Sequence, residues 1–118
     1  MPVWSRGLWP AYRLRMPSLE QLEKLLAADP NDAFVLYGLA QEHARSGNFA
    51  KAVGFYDRCL AADPAYCYAY YHKAKAQEAM GREADAVESL RAGAAAARQA
   101  QDDHAFSEIS AYLGALSP

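Results

Sequence analysis

The 118-residue sequence predicts an all-α fold, a right-handed helix-turn-helix solenoid of about six helices, and three observations carry that expectation. First, the string LAADP occurs at Leu26–Pro30 and again at Leu60–Pro64, a shift of thirty-four residues. The same shift superimposes Tyr37 on Tyr71, Ala40 on Ala74, Gly47 on Gly81, Ala50 on Ala84, Ala52 on Ala86 and Val53 on Val87, and a fixed period of this size marks a stacked repeat. Second, glycine and proline punctuate each unit where helices must stop. Third, 53% hydrophobic against 22% charged residues is the balance of a globular core, in a chain the size of one domain.

The elements follow in order. Ser18 and Gln21 have the spacing of a capping box, in which each side chain satisfies an orphan backbone donor, so a leading helix is expected over 18–28. A first unit spans 33–64: an apolar pattern from Ala33 to Arg45, a turn at Ser46-Gly47-Asn48, and a second pattern from Phe49 to Ala62 that Pro64 cannot continue. Gly47 and Gly81 supply the left-handed conformation that closes a helix, and Asn48 is expected to cap the next one. A second unit spans 67–100. Arg98 stands where a closing proline would fall, so its alanine-rich second helix is expected to run on until Asp102-Asp103. A terminal helix over 103–116 completes the single domain expected over 16–118.

Residues 1–15 look foreign to this body. They hold Arg6, Arg13 and Arg15, no acid, and both tryptophans, Trp4 and Trp9. With three of the twelve basic residues there and none of the fourteen acids, the remainder carries a net charge of −5. Arg6, Gly7 and Pro10 interrupt every apolar run, so no secretory signal is read. Three readings stay open: an extended start ahead of Met16, a disordered arm, or a binding segment.

Charge and composition narrow the function classes. The whole chain has a formal charge of −2 and a pI near 5.9, which gives no electrostatic reason to expect nucleic acid or an anionic membrane as partner. No apolar run approaches the roughly 18 residues of a spanning helix. Two cysteines make no disulfide framework, so a cytoplasmic protein with reduced thiols is expected.

At these residues the sequence resembles the tetratricopeptide repeat (TPR) family. Leu36, Leu39, Ala40, Gly47, Phe49, Ala52, Tyr56, Leu60 and Pro64 of the first unit, and Tyr70, Ala74, Gly81, Ala86 and Leu90 of the second, occupy the family's packing, turn and closing positions. Lys73, Glu83 and Arg98 depart from the pattern, where an apolar residue, an aromatic residue and the proline are usual. The resemblance covers residues 18–116 and implies that 18–28 is the second helix of a truncated repeat and that 104–116 is a polar-faced cap. The extra helices make a monomer the expectation ahead of a homodimer.

Catalytic signatures are sparse. There is no phosphate-binding glycine loop, CxxC pair or HExxH helix, and no cofactor is expected. Asp103, His104 and Ser107 read as a solvated helix start rather than a triad, and His43 and His72 lack the further ligands that a metal would need. His43, Cys59 and Cys67 read as packing residues.

Recognition remains. Stacked helix pairs turn their first helices to a concave surface, which places Phe34, Tyr37, Gln41 and Arg45 of the first unit, and Tyr68, Tyr71, His72, Lys75 and Glu78 of the second, along one groove with mostly basic tips. The resemblance implies that this groove holds a protein or peptide segment, in a small non-enzymatic adaptor. One branch of the family clamps the carboxylate of chaperone tails with lysine and asparagine; Tyr37, Gln41 and His72 stand in place of clamp residues, so that ligand is disfavoured. The alternative is a self-associating structural module without a peptide ligand, making contact through the Trp4/Trp9 arm or the C-terminal helix.

Overall fold

The computed structural model describes residues 17–116, and the readings of residues 1–15 lie outside them. Among the described residues it is all-α, with six helices in a packed TPR-like arrangement: α1 (Leu19–Ala28), α2 (Ala33–Arg45), α3 (Phe49–Ala62), α4 (Cys67–Ala79), α5 (Glu83–Gln99) and α6 (Asp103–Leu116). α2 and α3 form one antiparallel pair and α4 and α5 the next, while α1 packs on α2 and α6 on α5.

The helix ends have local causes. Ser18 Oγ accepts from Gln21 N–H at 3.2 Å while Gln21 Oε1 accepts from Ser18 N–H at 3.0 Å, so the capping box forms. Asp32 starts α2 by accepting from the N–H groups of Phe34 and Val35. Gly47 and Gly81 take φ of 82° and 77°, the left-handed conformation that costs glycine little. Asn48 behaves differently from expectation. It occupies the cap position of α3 but its side chain makes no capping bond. Its N–H instead donates to His43 O at 2.8 Å, closing α2 behind Gly47, and Arg82 repeats that bond to Gln77 O. α5 runs a turn beyond the length of α3 and stops at Gln99. There Gln101 adopts φ 58° without being a glycine, Asp102 N–H closes the helix on Ala97 O, and the Asp102 carboxylate caps α6 through Ala105 N–H.

Small residues let the helices approach: Ala40, Ala52, Ala74 and Ala86 are fully buried, around Leu36, Leu39, Tyr56 and Leu90. Cys59 and Cys67 are free, buried thiols packed as apolar fillers. The departures from the family pattern are absorbed locally. Lys73 reaches Asp57 of α3 at 2.6 Å, so its ammonium is paired while its stem lies between helices. Tyr70 lies against Gly93 and donates to Pro64 O at 3.0 Å, so its ring packs while its hydroxyl reaches the surface. His43 stacks on Phe55 at 5.3 Å, and the buried Ser89 hydroxyl donates to Gln77 at 2.7 Å. No helix among the described residues is long and apolar enough to cross a membrane.

Candidate functional site

A band of rings crosses the first helices of the array. Tyr37 of α2 stacks on Tyr66, which precedes α4, at 4.9 Å, and meets His72 of α4 edge-on at 5.9 Å. His72 meets Tyr71 at 5.2 Å, and Tyr71 meets Tyr68 at 6.4 Å and Tyr112 of α6 at 5.3 Å. The sequence explains the spacing: Tyr37 and Tyr71 are one period apart, and Tyr68, Tyr71 and His72 lie on one face of α4 at i, i+3 and i+4. All six side chains are half-buried, so each presents an edge to solvent while its neighbours hold it.

The polar groups around the band are mostly engaged. Lys75 Nζ lies 5.3 Å above the Tyr71 ring, a cation–π contact. Gln41 accepts from the Tyr56 hydroxyl, and Glu78 accepts from the Tyr112 hydroxyl. Arg45 bridges Glu42 at 3.2 Å on the same helix. Glu108 of α6 acts on both Tyr68 and His72. The expected basic lining is therefore corrected: Arg45 is neutralised within its own helix, and Glu78 and Glu108 offset Lys75. Phe34, in the first turn of α2, is 69% exposed and among the described residues stacks on none of these rings.

Burial sets the protonation states. It pushes the Tyr37 phenol up to about 12, with Tyr66 adding to the effect, and raises Tyr66 and Tyr112 as well. Burial, then Lys75, holds the His72 imidazole below its ordinary range, with Glu108 acting the other way. Burial thus favours the neutral, hydrogen-bonding forms of Tyr37, Tyr66, Tyr112 and His72 at physiological pH.

Sequence reasoning missed Tyr66 and Tyr112. Tyr66 lies just before its helix, outside the first-helix register, and Tyr112 sits on the helix read as a polar cap. Tyr112 carried no repeat signal, because the thirty-four-residue period sets it on Glu78 and the thirty-six-residue offset between the starts Cys67 and Asp103 sets it on Ala76. The tempting triad does not assemble: exposed His104 pairs with Glu108 at 3.0 Å. Among the described residues no group of three or more His, Cys, Asp or Glu side chains could hold a metal ion.

Comparison with known proteins follows the same lines. The tetratricopeptide repeat family model matches residues 33–66. A TPR repeat-containing protein of Pseudomonas aeruginosa is 31% identical over 98 residues, spanning 83% of this chain and 93% of the relative. A tetratricopeptide repeat domain protein from Salinibacter ruber shares 31% identity and superimposes with a TM-score of 0.70 over 75% of this chain and 90% of its own. The TPR2B domain of yeast Sti1, solved as a pHsp70 complex, is 23% identical and shares the fold, with a TM-score of 0.79 over 97% of this chain and 86% of that one. The period, the left-handed turn glycines, the small residues at the helix crossings and the extended identity to a repeat protein of similar length agree, and this chain belongs to the tetratricopeptide repeat family.

Proposed function

We propose that the protein is a non-enzymatic protein–protein interaction module that holds a protein or peptide segment along the ring band of α2, α4 and α6. The observation that carries the proposal is the unbroken series Tyr37, His72, Tyr71, Tyr112, which joins three successive first helices through ring contacts of 5.2 to 5.9 Å. Tyrosine suits such a surface because it offers a large contact area with few rotatable bonds and a hydroxyl for hydrogen bonding. Engaged neighbours keep the rings in place before a ligand arrives, which lowers the ordering cost of binding. The complex of the yeast domain with pHsp70 supports peptide binding by this fold, while Tyr37, Gln41 and His72 in place of clamp residues weigh against a chaperone carboxylate as the ligand here. Two free, buried thiols fit the cytoplasmic location expected from the sequence.

The test is affinity for the best partner captured on the native protein. Tyr71→Ala should cost about 2 kcal/mol or more as a central aromatic anchor, and Lys75→Ala should cost less and weaken the salt dependence. Lys51→Ala on the exposed side of α3 is the control; Asp57 cannot serve, because it holds Lys73. Equal affinities for Tyr71→Ala, Lys51→Ala and the native protein refute the assignment.

A further inference from the structure

The two complete repeats show how a second helix covers a first. Phe55 of α3 stacks on His43 of α2, and Ser89 of α5 bonds to Gln77 of α4, each partner twelve positions downstream. Cys59 shares a core cluster with Leu36, and Gly93 touches Tyr70, each partner twenty-three positions downstream. Most residues covered in this way are hidden: Leu36 is 1% exposed and His43 and Gln77 are buried, while Tyr70 stays half-buried with its hydroxyl at the surface.

The terminal helices break the pattern in complementary ways. α6 repeats the register of a first helix, with Ala105 and Ile109 buried against α5 as Ala69 is in α4 and Leu39 in α2. Its residues at the covered positions are Phe106, Ser110 and Leu113, which are only half-buried and line an open apolar trough with Ala94 and Ala95 of α5. Among the described residues no further helix follows α6 to cover them, and only Arg98 of α5 lies over the Phe106 ring, at 4.8 Å. α1 repeats the register of a second helix: Leu22 is buried where α3 has Tyr56. Leu25 stands where α3 has Cys59, yet is 50% exposed against 0% for Cys59. Among the described residues, one end therefore presents a first helix without its cover, and the other a cover without its first helix.

We infer that the protein stacks head to tail, α1 of one copy covering the α5–α6 trough of another. This interface completes a repeat across two copies, setting Leu25 against Phe106. It uses the array ends, apart from the ring band, and goes beyond the peptide-binding reading. Charge favours it: Arg98 of α5 lines the trough, and α1 carries exposed Glu20 and Glu23. The expected monomer required α1 and α6 to close the array, and the faces they leave open argue otherwise. Because the two surfaces differ, the contact is heterologous and does not close on a dimer. α1 has ten residues against fourteen in α3, so the contact is small and the association weak.

Sedimentation velocity on the full chain, up to about 1 mM, tests this. The native protein should gain mass with concentration beyond a dimer. Leu25→Glu and Phe106→Glu should each sediment as monomers, whereas their equimolar mixture should form a dimer that grows no further, since one intact α1 face meets one intact trough. Ser110→Arg should replace Phe106→Glu in every respect if the latter melts early. A native protein that stays monomeric, as it would with α1 covered by another part of its own chain, overturns the inference. So does a plateau at a dimer, a single variant that assembles like the native protein, or a mixture that remains monomeric.

Discussion

Gly93 is where packing overrides helix propensity, and substituting alanine there separates the two effects. In an unobstructed helix interior, Gly→Ala stabilises by about 1 kcal/mol. Gly54 on α3 has nothing within 4 Å of a prospective β-carbon, so Gly54→Ala should show that gain. At Gly93 the same carbon would stand 2.6 Å from Tyr70 Cβ, 3.2 Å from Tyr70 Cγ and 3.4 Å from Ile109 Cδ1. Carbon atoms at rest stay about 3.5–4.0 Å apart, and the atom that must yield is fixed to the α4 backbone rather than to a flexible tip. Overpacking of this kind costs about 1–3 kcal/mol, and the rigid neighbour places it in the upper half of that range. Subtracting the propensity gain leaves a net loss of about 1–2 kcal/mol, or a fall in Tm of about 5–10 °C for a fold of this size. Thermal and urea unfolding of both variants, followed by circular dichroism, make the comparison. A Gly93→Ala protein as stable as Gly54→Ala would refute the close approach of α5 to Tyr70.

Further outcomes follow from single side chains. Gln101 holds φ 58° at the end of α5, a conformation that costs a residue with a β-carbon about 1 kcal/mol, so Gln101→Gly should raise the urea midpoint, and an unchanged or lower midpoint would contradict the left-handed turn. The imidazole of His72 is held below its ordinary pKa, so the unfolded chain takes up that proton first as pH falls. Its contribution to stability is whole above about pH 6.5 and shrinks as pH drops towards the native pKa, and His72→Gln should remove that component of the decline; parallel stability–pH curves would speak against it. Burial, and then Asp63, pushes the Cys59 thiol up to about 11, and burial raises Cys67, so a disulfide reagent at pH 8 should label neither promptly until urea is added. Rapid labelling of the folded protein would show that α3 and α4 open there.

The sequence by itself determined the repeat, the turns and most of the core. A period of thirty-four residues, glycine at the turns and alanine at the crossings are local and one-dimensional signals, because each repeat contacts chiefly its neighbours. Tyr37, Tyr71 and His72 were legible as site candidates for the same reason. Tertiary structure decided what depends on neighbours distant in the chain. Only packing shows that Asp57 neutralises Lys73 and that Glu78 anchors Tyr112 to the ring band. Asn48 looked like a side-chain cap, but its backbone N–H was committed to closing the previous helix. The helix read as a polar cap resumes the first-helix register two residues late, after α5 has run past the end a proline would have imposed. Residue type states what a side chain can do; which partner engages it depends on how helices distant in the chain stack.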